Sequence, residues 1–219
     1  MTSATSVSST HNYHGNSDIN FCLDEQDGLS VTIDTERLHL RSVLATEQEY
    51  DSYAALFGDE DVMCKYQSGV KKNREDMVSR INDTWVKRWH GNDPYSAFAV
   101  FKRDTDDFLG HINLGHGDVA GESEVAYLFM KNCWRQGFGT ESVTAVVQEY
   151  APATVQEGYL LDGKALVKVL ATARPDNPGS CVILETVGMQ LIGKEEKYGA
   201  LRHCYALELK DIPKTIERG

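Results

Sequence analysis

The chain has 219 residues and a mass of 24.4 kDa, with 41% hydrophobic residues, a formal net charge of −11 and a pI near 5.1. That length holds one domain with a sizeable core and leaves no room for a second full domain. The acidic balance excludes broad binding to nucleic acid or anionic membranes, which needs clustered Lys and Arg; it suits a cationic substrate, or serves solubility alone.

Residues 1–30 are rich in Ser, Thr, Asn and Asp, and this composition predicts a flexible polar tail. The folded domain is expected over 31–212, with 213–219 as a C-terminal tail. Leu38 and Leu40 alternate with His39 and Arg41, a strand pattern. Thr46 followed by Glu49 reads as a capping box, opening a helix with Tyr50, Tyr53, Ala54 and Phe57 on one face. Asn73 with Asp76 opens a second helix, whose Met77, Ile81, Trp85 and Trp89 recur every four residues. Three strands follow at Ala97 to Phe101, Leu109 to Leu114 and Glu124 to Phe129, a meander of antiparallel neighbours.

The last of these strands runs into Trp134-Arg135-Gln136-Gly137-Phe138-Gly139-Thr140 and then an amphipathic helix. Gly137 and Gly139 let the backbone bend sharply, and the N–H groups opening the helix lack intrahelical acceptors. With the helix dipole behind them they favour a phosphate or pyrophosphate, although a plain tight turn would look similar. A Walker loop is excluded because Gly139 is followed by Thr140 and Glu141 instead of Lys and Ser or Thr. The dinucleotide fingerprint fails because Ser142 stands where its third glycine belongs. The helix carries Val143, Val146, Val147 and Tyr150 on one face and is expected to stop near Pro152, with a loop over 152–165. Beyond it come a strand from Leu166 to Thr172, a short helix capped by Asn177 and stopped at Gly188, and strands at Met189 to Gly193 and His203 to Leu209. The mixed order predicts an α/β fold with a mixed, mostly antiparallel central sheet of about seven strands flanked by helices.

The five cysteines contain no C-x-x-C pair, so neither a disulfide framework nor a thiolate zinc site is expected, and a reducing cytoplasm is the natural compartment. No apolar run has the length of a membrane span, and no basic residue precedes Arg37, so neither a signal nor a transit peptide is expected. The histidines form no H-E-x-x-H pattern, and no metal is predicted.

Taken together, these segments resemble the GNAT superfamily of acetyl-CoA-dependent N-acetyltransferases, in the branch of the ribosomal-protein N-terminal (RimJ/RimL-type) acetyltransferases. Thr35-Glu36-Arg37-Leu38-His39-Leu40-Arg41 resembles that branch's opening strand. Glu124 to Phe129 with Trp134 to Glu141 resembles its cofactor strand and pyrophosphate loop. Arg174 to Ser180, then Ile183-Leu184-Glu185 and Val187-Gly188-Met189, resembles its second cofactor motif. Lys131 stands where the branch often has proline, and Met189 replaces a common Phe.

The resemblance implies that the strand ending at Phe129 splays from its parallel neighbour, and that the pantetheine arm of acetyl-CoA pairs with the backbone exposed in the gap. Backbone N–H groups of Arg135, Gln136, Gly137, Phe138, Gly139 and Thr140 would hold the pyrophosphate, with charge from Lys131 and Arg135. Asn177 would contact the pantetheine arm, cap its helix, or both. A neutral amine is needed for attack on a thioester, so a general base is required. Glu124 is the candidate and Glu122 the alternative, ahead of His111 and His116. A backbone N–H at Phe129 or Met130 would stabilise the oxyanion, and Ser180 would protonate the leaving sulfur, with Tyr198 and Tyr205 as other hydroxyl donors. Cys133 and Cys181 have no paired His and are read as packing residues. Substrate choice is expected from Ala55 to Gln67 and from a loop at Lys194 to Arg202, where Asp59, Glu60, Asp61, Glu195 and Glu196 would attract a cationic amine or stay solvated. The implied enzyme acetylates a primary amine on a small molecule or a protein N-terminus, without nucleic-acid or membrane partners, as a monomer or homodimer. The other function compatible with the same motifs is a catalytically inactive acyl-CoA-binding sensor or interaction module.

Overall fold

A computed structural model of the chain describes residues 7–13 and 17–212. The strands are β1 (Val7–Tyr13), β2 (Ser17–Asp24), β3 (Gly28–Asp34), β4 (Leu38–Ser42), β5 (Ala97–Lys102), β6 (Phe108–His116), β7 (Glu122–Phe129), β8 (Lys168–Ala173), β9 (Gln190–Lys197) and β10 (Ala200–Glu208). They form one sheet in the order β1-β2-β3-β4-β5-β6-β7-β8-β10-β9. Every neighbouring pair is antiparallel except β7 and β8, which run parallel.

Helices cover both faces. On one side lie α1 (Glu47–Gly58), α2 (Glu60–Met63) and α3 (Arg74–Arg80), the last continuing through a π-helical turn, Ile81–Val86, into α4 (Lys87–His90). Their Tyr53, Phe57, Met63, Met77, Ile81 and Trp85 pack on Ala97, Ala99, Phe101 and Leu128 of the sheet. On the other side α5 (Phe138–Thr144), a π-helical turn at Ala145–Tyr150 and α6 (Ala151–Gln156) make one helical run, joined by α7 (Pro178–Thr186).

Several expectations need correction. The segment 17–30, read as tail, belongs to the sheet: Ile19, Phe21, Leu29 and Val31 lie in the main core, and Phe21 stacks on Tyr150 with ring centroids 5.6 Å apart. Composition averaged over thirty residues hides a two-residue alternation, and burying one such phenylalanine gains about 1.5–3 kcal/mol. Residues 1–6 and the C-terminal tail 213–219 lie outside the described residues, as do 14–16. The sheet accordingly has ten strands among the described residues instead of about seven.

Pro152 does not end its helix. It sits in the first turn of α6, directly after the π-helical turn, where the loss of its N–H is tolerated. The helix opens at Phe138 instead of after Thr140. The four-residue spacing of Met77, Ile81, Trp85 and Trp89 also passes through a π turn, whose i→i+5 bonding is wider than 3.6 residues and keeps all four buried. Only half of the first capping box forms. Thr46 accepts from the Glu49 N–H, but the Glu49 carboxylate goes to Arg41 and to the Leu44 N–H. The box at Asn73 and Asp76 is complete. The supposed loop over Lys194 to Arg202 is the end of a hairpin, β9 turning into β10 through Tyr198 and Gly199, both at positive φ.

Glu149, in the second π turn, is 2% exposed, and its Oε2 has no hydrogen-bond partner among the described residues. Burial pushes its carboxyl up to about 6 from 4.5. A raised carboxyl binds its proton more tightly in the folded state, so its contribution is complete below the unfolded value and is lost as pH rises through about 6. Glu149→Gln should therefore raise unfolding stability at pH 8 by about 2 kcal/mol and converge on the parent below pH ~4.5, as read by chemical denaturation across pH.

Candidate active site

The parallel pair β7 and β8 is in register only over Glu122–Lys168, Ser123–Val169 and Glu124–Leu170. Beyond Glu124 the two strands part, and the remainder of β7 shows an unpaired edge toward β8. Which groups face the gap follows from the ladder on the other side. Met130 donates its N–H to Leu109 O at 2.8 Å and Gly117 donates to Glu122 O at 2.9 Å, so even-numbered residues of β7 bond to β6. The odd-numbered residues Tyr127 and Phe129 therefore turn their N–H groups into the gap. This corrects one expectation: the Met130 N–H is already used. The Phe129 carbonyl is taken too, by the Trp134 indole N–H at 2.8 Å.

The glycine loop closes the mouth of this gap. Arg135 (φ 61°) and Gly137 (φ 84°) both adopt left-handed backbone, the second directly ahead of α5. A Cβ at Gly139 would meet Ile183 Cδ1 at 2.9 Å, so a larger residue would have to displace the Ile183 side chain. Phe138, Gly139 and Thr140 open the helix with N–H groups that have no intrahelical acceptor.

The loop is clasped from the far side. Glu141 accepts from Thr35 Oγ1 (2.6 Å), the Arg37 N–H (3.0 Å) and Arg37 Nε (2.6 Å), while Arg37 Nη1 donates to Gln136 O at 2.9 Å. The Arg37 guanidinium also lies 4.7 Å from the centre of the Phe138 ring. Sequence reading placed Thr35 and Arg37 in an opening strand and Glu141 at the end of the loop, with nothing to show that they meet. Lys131 is occupied by Asp61, and Arg135 is exposed.

Glu122 and Glu124 face the same side of β7. Glu122 accepts from Lys168 at 2.9 Å, and Lys168 also reaches Glu208 at 3.4 Å. Glu124, at the last rung before the strands part, is half-buried and accepts from Lys197 of the β9–β10 hairpin at 3.0 Å. Around it stand Tyr66 and Arg202, and burial, followed by the charges of Arg80, Tyr198, Glu124 and Arg202, leaves the Tyr66 phenol pushed up to about 12. Tyr66 follows α2 and rests edge-on against Phe57, 5.9 Å between centroids.

Ser180 approaches from the opposite face. Its Oγ lies 2.9 Å from the Tyr127 hydroxyl, which also reaches Ser180 O at 3.2 Å. Burial pushes the Tyr127 phenol well above its ordinary range, so it remains a neutral donor. The Asn177 side chain accepts the Ser180 N–H at 3.4 Å, its capping role. Tyr127 was missed from sequence because, within an alternating strand, it reads as core.

The other candidates are engaged elsewhere. His111 is 1% exposed beneath Trp85 and Tyr53, and burial, then Arg80, brings it down to about 3. His116 sits between Asp93 (2.7 Å) and Asp162 (3.1 Å). Tyr205 is buried and bonded to Glu185 at 3.2 Å, whereas Tyr198 is exposed on the hairpin. Cys133 is buried and Cys181 half-buried, and both are free thiols. The acidic groups expected to draw a cation are largely committed: Asp59 caps α2, Glu60 pairs with Lys71 at 3.5 Å and Asp61 with Lys131. Among the described residues no group of His, Cys, Asp and Glu could hold a metal, and no helix is long and apolar enough to cross a membrane. A recess of about 450 Å³ beside Gln148, Val187, Gly188, Leu207 and Ile212 contains none of these candidate groups.

A mostly antiparallel sheet whose one parallel pair splays beside a glycine-cradled helix N-terminus defines the acyl-CoA N-acyltransferase class. The acetyltransferase (GNAT) domain model matches residues 37–190, well over half of the chain, and the protein belongs to that family. The chain is 24% identical over 181 residues to the uncharacterized N-acetyltransferase p20 of Bacillus licheniformis, covering 76% of this chain and 86% of that one. Its fold is similar to that of RimL, a ribosomal L7/L12 α-N-protein acetyltransferase solved with coenzyme A, with a TM-score of 0.63 at 13% identity over 80% of this chain and 96% of that one. It is also similar to the spermidine N-acetyltransferase of Vibrio cholerae solved with CoA and spermine, with a TM-score of 0.62 at 13% identity over 80% and 97%. The protein is an N-acetyltransferase of this family.

Proposed function

We propose that this enzyme moves an acetyl group directly from acetyl-CoA to a primary amine, on a small molecule or at a protein N-terminus, with Glu124 as base and Ser180 as acid. The observation that carries the assignment is position: Glu124 stands at the rung where β7 and β8 part, on one face, and Ser180 with Tyr127 stands on the other. The splayed edge and the glycine loop fit an extended pantetheine and its pyrophosphate, since Tyr127 and Phe129 turn their N–H groups into the gap and those of Phe138, Gly139 and Thr140 open α5 without intrahelical acceptors.

Glu124 accepts the proton the amine gives up as the N–C bond forms and the C–S bond breaks, directly or through one water. The Phe129 N–H faces the charge that develops on the carbonyl oxygen. Ser180, backed by Tyr127, gives a proton to the departing sulfur and regains one from solvent, so the products are an amide and a free thiol. No covalent enzyme intermediate is required. The relatives' acceptors, a ribosomal protein and a polyamine, span both substrate sizes.

The test is thiol release from acetyl-CoA across a panel of N-terminal peptides, polyamines and other primary amines, beside calorimetric acetyl-CoA binding. Turnover with one amine class supports the proposal. Tight binding with no turnover across the panel would instead make the protein an acyl-CoA sensor, and no binding would overturn the site.

A further inference from the structure

Arg202 of β10 is 5% exposed and has no carboxylate in ion-pair contact among the described residues. Its Nε donates to Thr172 Oγ1 at 2.8 Å and its Nη2 to Thr172 O at 3.2 Å, while Nη1 has no partner. The guanidinium also lies 5.6 Å from the centre of the Tyr198 ring, which offsets part of the cost of burying a cation but gives Nη1 no acceptor; burial lowers its proton affinity. Its cross-strand neighbour Glu195 turns to Cys204 instead.

The register puts this guanidinium on the face of Glu124. Glu124 pairs with Leu170, and Leu170 with Ala206, so Arg202 and Thr172 point to the same side as Glu124. Tyr198, Glu124, Arg174 and Tyr66 are the charged or phenolic groups acting on it. Arg174 is bonded to Asp176 through both Nε and Nη2 at 2.9 Å, and so is satisfied. Lys197 brings a second cation, and Arg80 lies over Trp85 at 5.3 Å. Around the candidate base of a protein with a net charge of −11, Arg202 and Lys197 stand against Glu124 and Glu195, a local balance far less acidic than the chain as a whole. A polyamine finds no surplus of negative charge here, whereas an anionic oxygen would complete the Arg202 fork.

Resting on the acetyltransfer reading above, we infer that the acceptor is a primary amine carrying a carboxylate, and that Arg202 Nη1 binds that carboxylate while Glu124 meets the amine. The carboxylate can belong to a free amino acid or to an acidic side chain next to a peptide N-terminus.

The experiment compares free amino acids with their amides, and tripeptides bearing aspartate or asparagine at the second position, with spermidine as the cationic control. Each is titrated calorimetrically into protein saturated with CoA, and each is assayed for thiol release from acetyl-CoA. Acids should bind on the order of 10–100-fold more tightly than their neutral partners, the worth of a charged hydrogen bond. Arg202→Gln should erase that ratio, chiefly through KM, with acetyl-CoA affinity and melting temperature retained; Arg202→Lys should restore part of it. Preference among free amino acids or among peptides tells the two carboxylate sources apart. Equal binding of acids and amides, no binding of either, preference for spermidine, or loss of acetyl-CoA affinity in Arg202→Gln would each overturn the inference. Because binding to the CoA complex is read without turnover, failure of catalysis and failure of this subsite are distinguishable.

Discussion

Glu124→Gln should lower kcat for acetyl transfer by about 10²–10⁴-fold, the usual contribution of a positioned general base. The exchange is close to isosteric, and the amide oxygen can still accept from Lys197, so the hairpin should stay docked and acetyl-CoA affinity should not change. Glu122→Gln is the matched control. It removes the charge facing Lys168 while keeping an acceptor for it, two residues further from the point where the strands part, and should cost well under tenfold in kcat. Single-turnover kinetics with calorimetric acetyl-CoA binding separates the effects. Equal losses in the two variants, or full activity in Glu124→Gln, would remove Glu124 from the base role.

Gly139→Val should weaken acetyl-CoA binding by more than about 100-fold while leaving the chain folded. A Cβ at this position already meets Ile183 Cδ1 at 2.9 Å and Phe129 Cε2 at 3.6 Å. The branched methyls need further room, taken first from the Ile183 side chain and then, against the Phe129 ring, from the start of α5. The N–H groups of Phe138, Gly139 and Thr140 would move with the helix, and an anion cradle depends on their convergence. The clasp of Arg37 on Glu141 and Gln136 holds the other side of the loop, so the strain cannot be shed by the whole loop swinging outward. Isothermal titration with acetyl-CoA reads the effect, and circular dichroism checks the fold. Wild-type affinity in this variant would mean that the loop does not hold the pyrophosphate.

Much of the frame was legible because its signals are local. The alternation at Leu38 and Leu40, the strands from Ala97 to Phe129, the glycine turn and the cap at Asn177 each depend on residues within a few positions of one another. The N-terminal strands were not legible, since Ile19 and Phe21 are sparse among polar neighbours and find their place in a core assembled from distant segments, where Phe21 stacks on Tyr150 and Tyr159. Pro152 misled because its cost vanishes beside a π turn, which no composition rule announces. In the site, Glu124 and Ser180 could be singled out, but their partners Lys197 and Tyr127 could not.

The amino-acid sequence by itself determined the family, the order of the elements and the turn built to receive a pyrophosphate, because glycine spacing, capping residues and apolar periodicity act over one or two turns of chain. Only the tertiary structure decided which backbone N–H faces the splay, which carboxylate stands at its end, and that Arg202 lies buried with a free donor. Those outcomes depend on strand register and on side chains brought together across as many as 73 to 106 positions of sequence, as in Glu124 with Lys197 and Thr35 with Glu141, and no local pattern encodes a meeting at that separation.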